Sequence, residues 1–382
     1  MRLLDEIADI GRDPATGGYL RYAWTAPELQ LREWFQEQAT SRALELEEDG
    51  NGNIFAFWGT GPGTILTGSH LDSVPHGGAY DGPLGIASAF LAIDLLRERG
   101  FKPRKPIGVA AFAEEEGSRF GLACLGSRLF TGALDPAVRL VDRDGVALSQ
   151  VITPAGKRPD ILERIGCFIE LHIEQGRALD RAVGVASAIW PHGRWRLDFT
   201  GEPNHAGTTL MGERRDPMLT FAFTVLAANK EARLRGAHAT IGRVAVTPNA
   251  TNAIPSNVTA WLDARAAATD TVEELVKAVE AKATERAARD GTHLVLTAES
   301  VSAETTFDTG LRDRIAALLG GAPILPTGAG HDAGVLSAHV PTAMLFVRNP
   351  TGVSHSPAEH ATDEDCEAGV VALTDVLQDL AC

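Results

Sequence analysis

The sequence has little cysteine, a deficit of basic charge and no long apolar run, and each shortage excludes a class of protein. Four scattered cysteines, none in a Cys-x-x-Cys pair, argue against a disulfide framework and for reduced thiols in a cytoplasmic protein. Lys and Arg number 35 against 50 Asp and Glu, a net charge of −15, which argues against a nucleic-acid partner because such binders need a basic stripe. No run approaches the roughly 18 apolar residues of a membrane helix, and the N-terminal stretch lacks the apolar core of a signal peptide.

The composition is otherwise that of a globular protein with a large core. Hydrophobic residues make up 44% and charged residues 22% of the 382 positions. At roughly 150 residues per domain, this length predicts two domains, or one large domain that carries an insertion.

The first half of the chain alternates between buried strands and helices. Apolar segments without polar alternation predict strands buried on both faces, at residues 54–58, 64–69, 107–113 and 167–171. Apolar residues at helical spacing predict helices over residues 26–39 and 86–96. This order predicts an α/β domain with a mainly parallel sheet that helices cover on both faces.

From about residue 183 the pattern shifts, and the strands alternate in polarity instead. Strands are predicted at residues 195–200, 239–246, 257–265 and 293–300, with helices at 216–233 and 271–288. This order is that of a ferredoxin-like α+β sandwich with one solvated sheet face. We therefore predict a main domain over residues 1–187 and 301–382, and an inserted domain over residues 188–300.

Polar motifs adjoin three buried segments of the main domain. His70 and Asp72 lie two residues apart after one strand, where the carboxylate is well placed to hold the imidazole. Asp81 lies in a glycine-rich turn before a buried helix, and it could equally be the N-cap of that helix. Three successive glutamates, residues 114–116, end another strand, where like charges repel unless a cation lies among them. A solvated acidic loop is the alternative interpretation of these glutamates.

Two further histidines extend this set. His172 ends the strand at 167–171, and His355 lies in a loop bounded by proline; either alone is more often a hydrogen-bonded structural residue than a ligand. Together the motifs supply three imidazoles and two carboxylates that suit zinc or a similar divalent cation, namely His70, Asp81, Glu116, His172 and His355. A carboxylate shared between two cations roughly 3.5 to 4 Å apart would make a two-metal hydrolytic site, and Asp81 is the candidate bridge.

These motifs resemble those of the hydantoinase/carbamoylase family, a group of amidases within the binuclear metallopeptidases and aminoacylases. In chain order they are GSHLDSV, YDGPLG, AEEEGSRF, ELHIEQG, NHAGTT, NAIPS, GAGHDA and GVSHSPAE, and the likeness covers nearly the whole chain. The family includes N-carbamoyl-L-amino-acid hydrolases, allantoate amidohydrolases and β-ureidopropionases. The resemblance implies a metal-dependent amidohydrolase that cleaves the ureido C–N bond of a small carboxylate substrate and releases ammonia and carbon dioxide. It also implies that the main domain is catalytic and that the inserted domain is a lid and dimerisation domain.

The resemblance also assigns roles to individual residues. His70 and His172 would hold one divalent cation, Glu116 and His355 a second, and Asp81 would bridge them. Glu115 would be the general base, Asp72 the partner of His70, and His205 of the inserted domain the stabiliser of the transition state. Further groups would bind the substrate, namely Gln175, Asn252, Arg265 and His331. The chain departs from many relatives near His205, at Leu210 and Pro217, where Pro and Ala are commoner.

The sequence leaves the metal, the substrate and the class of function open. The donor set suits zinc, manganese or cobalt. An N-carbamoyl-L-amino acid and allantoate both carry a ureido group beside a carboxylate, so either fits. An aminoacylase or dipeptidase would use the same metals on an ordinary amide, and a non-catalytic binding protein on the same fold is the alternative from another class. A homodimer is implied, because similar proteins can take lid groups from the neighbouring subunit.

Overall fold

The computed structural model describes the whole chain, Met1 to Cys382. The chain forms two compact units, which we call the main unit (Met1–Ala188 and Thr306–Cys382) and the inserted unit (Ile189–Thr305). None of the helices has the length and apolar character that crossing a membrane requires.

Fifteen strands and eleven α-helices make up the fold. The strands are β1 (Glu45–Glu48), β2 (Ile54–Trp58), β3 (Thr64–His70), β4 (Ile107–Phe112), β5 (Ile165–Ile173), β6 (Val183–Ile189), β7 (His192–Thr200), β8 (Asn204–His205), β9 (His238–Thr247), β10 (Ala253–Ile254), β11 (Asn257–Arg265), β12 (His293–Ser302), β13 (Thr305–Thr306), β14 (Ile324–Thr327) and β15 (Thr342–Val347). The helices are α1 (Arg2–Glu6), α2 (Ala26–Ser41), α3 (Pro83–Glu98), α4 (Leu125–Thr131), α5 (Leu148–Val151), α6 (Pro159–Leu162), α7 (Pro217–Arg235), α8 (Thr269–Asp290), α9 (Thr309–Leu318), α10 (Asp332–Leu336) and α11 (Asp363–Leu380). A short 3₁₀ helix spans Met211–Glu213.

The main unit is built on a sheet whose central strands are parallel. Its order is β1-β2-β4-β3-β5-β15-β6-β13, with β14 paired to β6. Strands β4, β3, β5 and β15 run parallel to one another, whereas β1, β2 and β6 pair in the antiparallel sense. Every residue of β3, β4 and β15 is buried, which explains why their apolar residues do not alternate with charged ones. The predicted fold class, α/β with a mainly parallel sheet, is confirmed.

Alternate residues of the central strands face two different layers of core. On one face, Val109 of β4 and Ile169 of β5 belong to a cluster that includes residues of α2, α3 and α11. On the other face, Phe112 and Phe168 form an edge-to-face aromatic pair, and Phe112 also contacts Phe130 of α4. Full burial of each such phenylalanine contributes about 1.5 to 3 kcal/mol. Burial on both faces therefore holds the sheet and the strand ends that carry the polar motifs.

The inserted unit is a four-stranded antiparallel sheet of order β12-β7-β11-β9 with α7 and α8 on one face. Residues of β11 alternate between buried and half-buried, so Leu262 and its alternate neighbours pack with Phe199 and Leu275 while the opposite face stays open. With one helix after β7 and one after β11, this is the ferredoxin-like topology. A separate pair of short strands, β8 and β10, lies outside this sheet.

Candidate metal centre

The polar motifs of the main unit meet where the central parallel strands end. His70 is the last residue of β3, His172 is the penultimate residue of β5, and Glu114 to Glu116 follow β4 closely. Because these three strands are adjacent and parallel, their carboxyl ends share one edge of the sheet, where ligands bind in open α/β folds. Asp81 precedes α3 and points its carboxylate towards both histidines.

Asp81 lies at the centre of two donor sets. Its Oδ1 is 3.1 Å from Nε2 of His172 and 3.4 Å from Nε2 of His70. Its Oδ2 is 3.4 Å from Nε2 of His355, and that nitrogen lies 3.6 Å from Oε1 of Glu116. Ligand atoms about 2.0 to 2.1 Å from a tetrahedral zinc ion are roughly 3.3 to 3.4 Å apart. Each carboxylate oxygen of Asp81 thus faces its own set of donors at a spacing that suits a cation.

The hydrogen bonds of the two buried histidines leave one nitrogen of each ring available. Nδ1 of His70 lies 3.0 Å from the carbonyl oxygen of Asp72, and Nδ1 of His172 lies 2.8 Å from the carbonyl oxygen of Ile173. Because a carbonyl oxygen only accepts, each neutral ring has its proton on Nδ1 and presents a lone pair at Nε2. Nε2 of His172 and Oε1 of Glu116 are both buried without a hydrogen-bond partner. Lone pairs that face one another so closely repel unless a proton or a cation lies between them, so the residues fit a pair of divalent ions.

The pKa values reflect this crowding of charge. Burial raises the pKa of Asp81, but the facing imidazoles of His172, His355 and His70, where they carry a second proton, outweigh it and hold the pKa well below the ordinary value. Burial lowers the pKa of His355, but Asp81 and Glu116 more than offset it and raise the pKa to about 9. Burial, helped by the charge of Asp81, raises the pKa of Glu116 to about 7. In the absence of cations, protons on these side chains therefore offset the repulsion among the buried carboxylates and the facing lone pairs.

Glu115 and Asp72 adjoin the donor sets. Oε2 of Glu115 lies 3.8 Å from Nε2 of His70, and Oε1 accepts a hydrogen bond of 3.4 Å from the thiol of Cys124. Burial raises the pKa of Glu115 well above its ordinary value, and the charge of His70 offsets this in part. The carboxylate of Asp72 accepts the backbone N–H groups of Glu115 and Glu116, both at 3.1 Å.

Asp72 contacts His70 differently from the arrangement that the spacing suggested. The main-chain carbonyl of Asp72, not its carboxylate, accepts the hydrogen bond of the imidazole; the nearer carboxylate oxygen is 3.7 Å from Nδ1. The carboxylate turns away because the two N–H groups after β4 take both of its oxygens. Asp72 thus holds the segment with Glu115 and Glu116 in place.

The other predicted site residues fall into two groups. In the main unit, Nε2 of Gln175 lies 2.9 Å from Oδ2 of Asp81 and 3.2 Å from Nε2 of His355. The ring of His331 lies 4.5 Å from that of His172, and both of its nitrogens are buried without a partner. Burial, with the charge of His172, holds the pKa of His331 well below its ordinary value, so this ring is neutral.

The inserted unit carries the remaining three. His205 in β8 pairs with Ala253 of β10, and the carbonyl oxygen of Asn252 accepts a hydrogen bond from the next residue after His205. Arg265 ends β11, and its guanidinium forms two hydrogen bonds with Asp263, at 2.7 and 3.0 Å. Leu210 is exposed, and Pro217 is the first residue of α7 after the capping Asp216.

Three residues that the sequence analysis did not single out also shape the site. Glu114 has a positive φ of 54°, and its carboxylate accepts the N–H groups of Arg119 and Phe120 at 2.8 and 2.6 Å, so it closes the turn after the glutamates. Cys124 orients Glu115, and Glu359 contacts the loop of Asp81. Glu114, the first residue of the glutamate run, and Glu359, the last residue of SHSPAE, belong to recognisable motifs, but only tertiary contacts reveal what these side chains do.

An α/β sheet whose carboxyl edge brings three imidazoles and the carboxylate of Glu116 close to Asp81 has the donor set of a metal-dependent hydrolase. Within that class, the chain belongs to Peptidase family M20/M25/M40, whose model matches residues 66–379.

Relatives and solved structures give the same assignment. The chain is 35% identical to an N-carbamoyl-L-amino acid amidohydrolase of Geobacillus stearothermophilus, with 99% of this chain and 97% of that protein covered. It is 32% identical to an allantoate amidohydrolase of Escherichia coli, with 98% and 96% covered. The structure matches a hydantoinase/carbamoylase family amidase of Burkholderia vietnamiensis with a TM-score of 0.91 at 30% identity, covering 99% and 96% of the two chains. The sequence-based predictions of the family and of a hydrolase of linear amide C–N bonds are confirmed.

Proposed function

We propose that the chain is a divalent-metal-dependent amidohydrolase that cleaves the ureido C–N bond of a small carboxylate substrate and releases ammonia and carbon dioxide. An N-carbamoyl-L-amino acid or allantoate is the expected substrate, since relatives along nearly the full length bear those names. The observation that carries the proposal is the division of the donors between the two carboxylate oxygens of Asp81. That geometry suits two cations that share one ligand.

The metal ligands proposed are the five residues that converge at the sheet edge. His70 and His172 would hold one cation, Glu116 and His355 the other, and Asp81 both. A bound pair of zinc, manganese or cobalt ions would supply Lewis-acid polarisation of the substrate carbonyl and lower the pKa of water.

Glu115 is the proposed general base. Its carboxylate borders the first donor set without belonging to the pairs that face Asp81, so it can accept a proton from water and return it to the leaving nitrogen. A base next to a metal site needs one oxygen directed at the reacting water, and the thiol of Cys124 holds the other oxygen of Glu115. Asp72 supports this by binding the backbone N–H of Glu115.

Several polar side chains are proposed to bind the substrate. A ureido carbonyl is a poor electrophile, and His205 would stabilise the charge that develops on its oxygen; one such donor is typically worth about 3 to 4 kcal/mol. The planar guanidinium of Arg265 can bind the substrate carboxylate through parallel hydrogen bonds. Further contacts would come from Asn252, Gln175 and His331.

A homodimer is part of the proposal. Helix α7 exposes large apolar side chains along its length, and Leu226 and Leu234 are 71% and 68% exposed. Leu219 and Phe223 of the same helix are exposed as well. Exposed apolar residues at helical spacing support a contact with a second copy of the chain. A cytoplasmic location is also proposed, in keeping with four cysteines that are all free thiols.

A substrate panel on metal-reconstituted protein tests the function. We expect ammonia release from N-carbamoyl-L-amino acids or allantoate in the presence of Zn²⁺, Mn²⁺ or Co²⁺. Release of amine from N-acetyl amino acids or dipeptides, without ammonia release, would instead assign an aminoacylase or dipeptidase. Protein that binds no cation and gains no activity with any of the three would indicate a non-catalytic binding protein.

A further inference from the structure

A buried glutamate outside the five proposed ligands joins two loops of the candidate metal centre. Glu359 is 5% exposed, and its Oε2 accepts the backbone N–H groups of Tyr80 and Asp81, both at 3.0 Å. Its Oε1 accepts the hydroxyl of Ser354 at 3.4 Å. One carboxylate thus connects the loop of Asp81 to the loop of His355, although Asp81 lies 278 residues earlier in the chain.

A glycine makes room for this carboxylate. A Cβ at Gly78 would lie 2.5 Å from the Cβ of Glu359 and 2.6 Å from its carboxyl carbon, distances that real side chains do not tolerate. Gly78 has no positive φ that would itself require glycine. The close approach of the glutamate is therefore the reason that the structure offers for glycine at this position.

Both loops need such support. His355 has a φ of 55°, and a non-glycine residue keeps a left-handed conformation only when its surroundings enforce it. Ser354, which Glu359 binds, immediately precedes it. On the other loop, two hydrogen bonds to one charged oxygen fix the backbone from which the side chain of Asp81 extends.

We propose that Glu359 is a positioning residue that sets the spacing between Asp81 and His355 and thereby the affinity of the second cation. Gly78 contributes to the same arrangement, because the absence of a side chain at this position leaves space for the carboxylate of Glu359. The inference rests on the proposed function, since it presumes that Asp81 and His355 bind metal. Glu359 itself contacts the backbone N–H groups of Tyr80 and Asp81 and the hydroxyl of Ser354, not the proposed ligand atoms.

Metal titration of five variants tests this role. Calorimetry with Mn²⁺, together with the visible absorption of the Co²⁺ protein, measures stoichiometry and affinity without any substrate. For Glu359→Ala we expect normal binding of one cation and about 10- to 100-fold weaker binding of the second, the usual effect of losing a group that orients ligands. Glu359→Gln should recover most of the affinity, because an amide oxygen can accept the same two N–H groups.

Gly78→Ala provides an independent approach to the same contact. It should weaken binding of the second cation, as Glu359→Ala does. The double variant, Gly78→Ala with Glu359→Ala, should bind the second cation no more weakly than the weaker-binding single variant, because both changes break the same contact. Asp308→Ala is the matched control: it removes a carboxylate that accepts a backbone N–H at the start of α9, in the same unit. That variant should bind both cations normally.

The outcomes separate this inference from the proposed function. Wild-type protein that binds no cation would overturn both. Wild-type and Glu359→Ala proteins that bind two cations equally tightly would overturn only the role of Glu359, and so would additive losses in the double variant. If Glu359→Ala does not fold, Glu359→Gln and Gly78→Ala decide by the same titration, with circular dichroism to verify folding.

Discussion

The three consecutive glutamates after β4 show how neighbouring residues take separate roles. Glu114 adopts a left-handed conformation and binds the backbone of the following turn. Glu115 then faces His70, while Glu116 faces His355. The turn directs two adjacent carboxylates at two different donor sets, so one is available as a base while the other is available as a ligand.

Substitution Glu115→Gln should separate catalysis from metal binding. The proposed ligands stay intact, so the variant should keep its cations, but an amide cannot accept the proton of water. We expect kcat to fall by about 10²- to 10⁴-fold, the usual contribution of a general base. Elemental analysis and steady-state kinetics measure the two effects. Near-normal turnover would remove Glu115 from its proposed role, and Glu116→Gln is the comparison that should instead lose cation.

Substitution Arg265→Ala should mainly raise KM. Loss of a charge-assisted hydrogen-bonded contact to the substrate carboxylate costs about 1.5 to 3 kcal/mol, which corresponds to a rise of roughly 10- to 100-fold in KM. Arg196→Ala is the matched control, because Arg196 lies on the neighbouring strand β7 and likewise pairs with an acidic residue two positions along, Asp198, at 2.7 Å. Kinetics on both variants would contradict the assignment if their KM values changed equally.

The strands and helices differ in how far the sequence predicts them. Strands β3, β4 and β5 are evident because each contains a short apolar run without polar alternation, as expected for strands buried on both faces. Strand β1, with the sequence ELEE, escapes prediction because it is an edge strand with mostly exposed side chains that pairs only with β2. The sequence pattern changes at about residue 183, where β6 begins, so the pattern does not reveal that β6 pairs antiparallel with β15 in the main sheet.

The candidate site also has one part that the sequence predicts and another that it does not. The strand ends place His70, His172 and the glutamates at one edge, which the order of apolar runs makes foreseeable. The contacts that orient these groups join distant segments, as Glu359 does with the loop of Asp81, and no local pattern encodes them. Which oxygen of Asp81 faces which histidine is likewise a product of tertiary packing.

Helix α7 offers a test at the scale of one element. If its exposed apolar residues contact a second copy, the double substitution Leu226→Glu and Leu234→Glu should convert a dimer to a monomer, because it buries two charges at that contact. Sedimentation velocity measures the change. Leu29→Glu on α2, also an exposed leucine, is the control and should stay dimeric. A wild-type monomer, or a variant that stays dimeric, would contradict the proposed interface.

Across the whole molecule, an acidic chain buries a cluster of carboxylates at one site. The net charge is −15, yet carboxylates such as Asp72, Asp81 and Glu115 are buried together at the end of the sheet. Burying like charges costs free energy unless protons or cations balance them. The stability of the chain should therefore depend on pH and on metal in a linked way.

The pKa shifts determine whether the stability of the metal-free protein rises or falls with pH. The pKa of His355 is raised to about 9 from 6.5, so its contribution to stability is complete below pH 6.5 and is lost as the pH rises through 9. The pKa of Glu116 is raised to about 7 and that of Glu114, above all by burial, to about 8, so these groups favour folding while protonated and oppose it once ionised. All three shifts act in the same direction, and the metal-free protein should lose stability as the pH rises from 6 to 8.5.

Cations should reverse this trend, because they replace the protons that hold the cluster. Binding requires neutral imidazoles and ionised carboxylates, so it releases protons and strengthens as the pH rises. We expect the increase in Tm on adding Mn²⁺ to be larger at pH 8.5 than at pH 6, as measured by calorimetric unfolding of metal-free and metal-loaded protein. The variant His355→Gln should show a smaller pH dependence, because it removes the group with the pKa of about 9. A metal-induced increase that shrinks as the pH rises would show that the cations bind elsewhere than among these side chains.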